Sequence, residues 1–113
     1  MTLKGNYLGE LEELILLATA TLGENAYGVS VRQYLIDEAG REVNISAVHE
    51  VLKRLERKGY LKSRMGGATN ERGGRRKRFF TITTAGRKAI EEAANLKIAL
   101  FKKVPDLSIK FLR

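Results

Sequence analysis

Hydrophobic side chains recur at helical spacing in three successive segments at the start of the chain. From Tyr7 to Leu22 they fall at Leu8, Leu11, Leu14, Ile15, Ala18 and Leu22, with Leu16 and Leu17 widening the stripe. This pattern predicts a mostly buried helix stopped by Gly23. A second helix is predicted from about Tyr27 to Glu38, with Tyr27, Val31, Tyr34 and Leu35 on one face, Arg32, Gln33, Asp37 and Glu38 in water, and Gly40 as its end. Residues 41–45 alternate loosely and fit a turn or a very short strand. Ser46 is the predicted N-cap of a third helix, whose Val48, Val51, Leu52 and Leu55 form one narrow stripe at i, i+3, i+4 and i+7. Ala47, His49, Glu50, Lys53, Arg54 and Arg57 occupy its other faces, and Lys58 with Gly59 closes it.

The period then changes. Tyr60 to Met65 and Arg78 to Thr83 are predicted to pair as a hairpin across a long, glycine-rich loop from Gly66 to Gly74, which is expected to protrude and move. Thr84, following Thr83, is the expected cap of a fourth helix from about Ala85 to Lys103, stopped by Pro105. That helix has two apolar stripes, Ala89, Ala93, Leu96 and Leu100 on one side and Ile90, Ala94, Ile98 and Phe101 on the other. This is more apolar surface than one small core requires, so a homodimer through Ile90, Ala94, Ile98 and Phe101 is predicted. The competing arrangement packs both stripes against the first helix within one chain.

Charge changes the picture of the middle segment. The chain has 113 residues and a net charge of +8. Ser46 to Arg78 alone holds eleven basic side chains against Glu50, Glu56 and Glu71, while the remaining residues hold ten of each sign. A clustered positive field attracts and orients a polyanion, whereas scattered charge mainly confers solubility. The plain alternative is a solvated Lys/Arg face with no partner.

Composition also excludes several classes. There is no cysteine and one histidine, His49, so a disulfide framework, a thiolate metal site and a cysteine nucleophile are ruled out, and no cofactor is expected. The glycine-rich loop lacks the glycine-lysine-hydroxyl ending of a phosphate-binding loop. Glu12 with Glu13 and Glu91 with Glu92 are adjacent on helices, point about 100° apart, and are expected to be solvated faces and not an acid/base pair. No enzyme is predicted. The longest strongly apolar run, Leu14 to Ala18, falls far short of the roughly 20 residues a membrane span needs, and the first residues lack a secretory layout, so a cytoplasmic protein is expected.

The element order predicts a mainly α fold with a small β-hairpin: a winged helix-turn-helix over residues 7–84, a C-terminal dimerisation helix over 85–104 and a short apolar tail over 105–113. At this point the sequence resembles the PadR family of transcriptional regulators. The resemblance rests on Leu8-Gly9-Glu10-Leu11-Glu12, Tyr27-Gly28, the run from Leu52 to Tyr60, Gly73 to Phe80, and Ile82 to Arg87. It implies a dimeric repressor or activator that binds operator DNA of twofold character, pairs through the last helix and often releases DNA on binding a small molecule. One departure is His49-Glu50, where many relatives carry Tyr-Pro. A carboxylate there is costly beside DNA unless it accepts from a cytosine amine or sits aside. For His49 the plain alternative is a surface imidazole without a role.

Double-stranded DNA is therefore the predicted partner. Ser46, Ala47, His49 and Lys53 are assigned to base edges, Arg54 and Arg57 to phosphates, and Lys62, Arg64, Arg72, Arg75, Arg76 and Lys77 to phosphates or the minor groove. Arg78, opening the returning strand, has a structural alternative. An apolar or phenolic small-molecule effector is expected near the fourth helix, with Tyr7, Tyr27 and Tyr34 as aromatic walls. The rival reading is a winged-helix protein–protein interaction module without DNA reading.

Overall fold

A computed structural model describes residues 7–66 and 76–106. Its elements are α1 (Glu10–Leu22), α2 (Gly28–Ala39), α3 (Ile45–Arg57), β1 (Leu61–Met65), β2 (Arg78–Ile82) and α4 (Thr84–Phe101), with a short 3₁₀ turn at Gly23–Asn25 between α1 and α2. The glycine-rich loop tip and the apolar tail, and with them the expectations placed there, lie outside the described residues.

Each helix of the trihelical unit is set by local chemistry. The Glu12 side chain accepts the Gly9 N–H at 2.9 Å at the start of α1, and Ser30 Oγ accepts the Tyr27 N–H at 2.9 Å at the start of α2. Both satisfy a backbone donor that the helix itself leaves free. Gly40 ends α2 in the left-handed conformation (φ 63°), and Arg32 Nε donates to the Val43 carbonyl at 2.7 Å, holding the turn into α3. That turn contains no strand. The cap of α3 is Asn44 and not Ser46: Asn44 Oδ1 accepts the Ala47 N–H at 2.8 Å, which leaves Ser46 inside the first turn with an exposed side chain.

The core is formed where the predicted stripes meet. Ile15, Leu16 and Ala18 of α1, Val31 and Leu35 of α2, and Val48, Val51, Leu52 and Leu55 of α3 are all buried, and Leu61 and Phe80 close one side. β1 and β2 pair antiparallel, with Leu61 opposite Ile82, Ser63 opposite Phe80 and Met65 opposite Arg78. The hairpin is stitched to the trihelical unit by a bridge between Tyr27 and Phe79 and by the Phe80 N–H donating to the Ala26 carbonyl at 2.9 Å.

The cap of α4 is Thr83, one residue before the expected one. Its Oγ1 accepts the Gly86 N–H at 3.0 Å and donates to the Gly59 carbonyl at 2.7 Å. A Cβ on Gly86 would lie 2.2 Å from the Tyr60 carbonyl oxygen, so the absence of a side chain lets α4 sit directly on the start of β1. Ile90 is half-buried against the core, whereas every described residue from Ala94 onward is exposed. The two stripes are therefore not absorbed within the chain. Of the four residues assigned to pairing, Ile90 serves the chain's own core, and Ala94, Ile98 and Phe101 are open.

Candidate nucleic-acid interface

Because Val48, Val51, Leu52 and Leu55 face inward, helical geometry places Ser46, Glu50, Lys53 and Arg57 on the ridge pointing directly away from the core. All four are exposed. None of Glu50, Lys53 and Arg57 forms a hydrogen bond or ion pair among the described residues. This ridge is the part of α3 available to a partner.

The flanks of α3 are occupied differently. Ala47 and Arg54 lie on one flank and are half-buried. Arg54 Nη1 stands 3.5 Å from Glu12 Oε2, and Lys58 Nζ bonds both Glu12 oxygens at 2.9 and 3.1 Å. Glu12, expected on a solvated face, is thus buried and anchors α1 to the end of α3. Burial pushes its carboxyl upward. The Gly9 N–H, Lys58 and Arg54 together overcome that and hold it below the usual carboxylate range. Arg54 is accordingly turned toward the protein, unlike Arg57. Glu13, its neighbour, is also paired, with Lys97 of α4 at 2.6 Å.

On the opposite flank His49 rests against α2, since a Cβ on Gly28 would fall 2.3 Å from His49 Cε1. Its ring remains exposed at the edge, so it has a packing role that the sequence did not suggest. Glu56 accepts a hydrogen bond from Ser63 Oγ at 2.6 Å, and Ser63 Oγ in turn accepts from Arg78 Nη1 at 3.0 Å. This chain links α3 to both strands and gives Arg78 the structural function.

The base of the hairpin is built by alternating cations and rings. Lys77 Nζ lies 4.4 Å from the centre of the Tyr27 ring, Tyr27 meets Phe79 edge-on at 5.5 Å, and the Arg64 guanidinium lies 4.9 Å from the Phe79 centre. Such contacts orient a cation while leaving its charge unneutralised. Arg76 Nε donates to the Gly66 carbonyl at 3.0 Å, and Lys62 is exposed with no partner among the described residues. Arg72 and Arg75 lie outside the described residues. Tyr27, the N-cap of α2, thus also holds the hairpin, through Phe79 and Lys77.

One depression lies away from this face and another borders it at Tyr27. One, of about 480 Å³, lies between α1 and α4 and is lined by Tyr7, Leu8, Tyr60, Ala93, Leu96 and the Glu13–Lys97 pair. The other, of about 420 Å³, is a shallow trough holding Tyr27 and Tyr34 with Leu22 and Val29. The three tyrosines therefore do not converge on one pocket. Among the described residues no group of acidic or imidazole side chains could hold a metal, and no helix is long and apolar enough to cross a membrane.

Three helices followed by a hairpin stitched to the second of them define a winged helix-turn-helix protein. The model of the transcriptional regulator PadR-like family matches residues 16–92, and the chain belongs to that family, one of regulators and not of enzymes. Solved structures of the same fold include a PadR family transcription regulator from Clostridium difficile, with 20% identity over 93% of this chain and 100% of that one and a TM-score of 0.66. A PadR family regulator from Eggerthella lenta gives 24% identity over 82% and 80% of the two chains and a TM-score of 0.64. Bacillus subtilis PadR, solved in complex with operator DNA, gives 21% identity over 75% of this chain and 46% of that one and a TM-score of 0.60. Comparison with curated protein sequences gives no match.

Proposed function

We propose that this protein is a dimeric, sequence-specific repressor that binds duplex DNA in the cytoplasm. The observation that carries the reading is the unpaired cationic ridge of α3 beside a wing whose cations are aimed but not neutralised. Residues 7–84 form the reading unit. Ser46 and Lys53 enter the major groove from the outward ridge, with His49 at its edge and Arg57 on a phosphate near the far end of the helix. Lys62, Arg64, Arg76 and Lys77, together with Arg72 and Arg75, clamp the flanking backbone. Family membership and the operator complex of the Bacillus subtilis relative support the same assignment.

The distal half of α4 supports pairing of two chains. Ile98 (52% exposed), Leu100 (54%) and Phe101 (74%) are large apolar residues in water, and each contributes about 1.5–3 kcal/mol if fully buried against a partner. Two reading units joined in this way suit a twofold operator. The groove between α1 and α4 is of a size to take a small apolar or phenolic effector, and its position would let occupancy move α4.

A mobility-shift titration against DNA upstream of the protein's own gene tests the central claim. Binding should weaken steeply with salt, at about 0.9 in log–log slope for each phosphate contacted. Absence of binding even at low salt defeats it and favours a protein-interaction role. Thermal-shift screening with apolar and phenolic compounds tests the effector, and a flat panel counts against it.

A further inference from the structure

The outward ridge of α3 presents one negative charge at its centre, and it has no hydrogen-bond or ion-pair partner among the described residues. Glu50 stands one turn after Ser46 and three residues before Lys53, exposed on the face opposite the buried stripe. The two other acids beside the helix are occupied, Glu12 by Lys58 and Arg54, and Glu56 by the Ser63 hydroxyl. Arg54, four residues on and the natural helical partner for Glu50, is turned to Glu12 instead. Glu50 therefore does not sit aside from the surface that meets the duplex.

A carboxylate in that place is repelled by phosphates and can only accept hydrogen bonds. In the major groove guanine offers N7 and O6, both acceptors, and thymine offers O4, also an acceptor. Adenine offers one amine, but its N7 lies beside it and repels a second acceptor. Cytosine alone presents an amine, N4, without an acceptor next to it on its own groove edge. We infer that Glu50 is a specificity-determining residue that reads a cytosine in each half-site and rejects the other bases by leaving the carboxylate unpaired against their acceptors. Its cost in general affinity is the source of its selectivity. The inference rests on the DNA-reading function proposed above.

Selection of bound sequences from a random duplex pool, with wild type, Glu50→Ala and Glu50→Gln compared in parallel, tests it. Because the side chain is exposed and unbonded, both variants should fold as wild type does, which circular dichroism checks. Wild type should fix one cytosine per half-site with about a tenfold or greater preference over other bases. Glu50→Ala should lose preference at that position alone while binding unrelated DNA about fivefold more tightly at low salt. Glu50→Gln, which both donates and accepts, should move the preferred base to adenine. Identical base preferences for all three proteins would overturn the assignment of Glu50 while leaving DNA reading intact. Failure of wild type to bind any duplex would overturn DNA reading itself, and the assignment with it.

Discussion

Two exposed helical faces in this molecule differ in the partner each one fits. The outward ridge of α3 carries Ser46, Glu50, Lys53 and Arg57, and its charges are unpaired among the described residues. One face of distal α4 carries Ile98 and Phe101, both exposed. Water tolerates the first face well and the second poorly, so in the proposed function the first meets a polyanion whose counterions it can displace, and the second meets apolar surface like its own. Salt should separate them. It weakens what α3 does and leaves what α4 does largely unchanged.

The largest expected effect breaks the apolar side of this contrast. Ile98→Glu should convert a dimer to monomers in sedimentation and reduce operator affinity by about a hundredfold through lost avidity, with the salt slope roughly halved as one reading unit is left to bind. Lys53→Ala combined with Arg57→Ala attacks the polar side. It should weaken binding by roughly ten- to a hundredfold and lower the slope by about 1 per protomer, through the phosphate contact assigned to Arg57, while the oligomeric state and melting temperature stay unchanged.

A smaller effect separates the ridge of α3 from its inner flank, where charges serve the fold. Glu12→Gln should cost about 1–2 kcal/mol in urea unfolding, because the buried carboxylate that joins Gly9, Lys58 and Arg54 is lost. The folded-state carboxyl lies below its unfolded value. Its stabilisation is therefore complete above the unfolded pKa and lost as pH falls through the folded one, and the variant should show a flatter stability profile below about pH 5. The smallest effect is Lys97→Ala. Its pair with Glu13 is largely in water on the lysine side, so stability should fall by about 0.5 kcal/mol or less in the same unfolding assay.

What the sequence revealed was whatever depends on near neighbours. The buried stripe of α3 and the pairing of the two strands follow from periods of 3.6 and 2, and both appear as predicted. Glu12 was misjudged because its burial depends on Lys58, 46 residues away. The α3 cap moved from Ser46 to Asn44 since both side chains can accept an N–H, and only the backbone turn decides which is placed to do so. Tyr27 joined the wing through Phe79, a contact across half the chain that no local pattern announces. The cationic clustering was legible as composition. Which cations remain free was not, because Arg54 and Arg57 look equivalent until Glu12 is in place.

Seating α4 on the Tyr60 carbonyl through Gly86 gives the molecule a lever. From Gly86 the helix runs a further 15 residues to Phe101, about 22 Å at the usual rise per residue. A tilt of about 5° there carries Phe101 through about 2 Å, and in a symmetric pair the displacement doubles. In the proposed dimer, measured along a duplex whose helical repeat is about 34 Å, such a tilt would change the phase between two reading heads without altering either one.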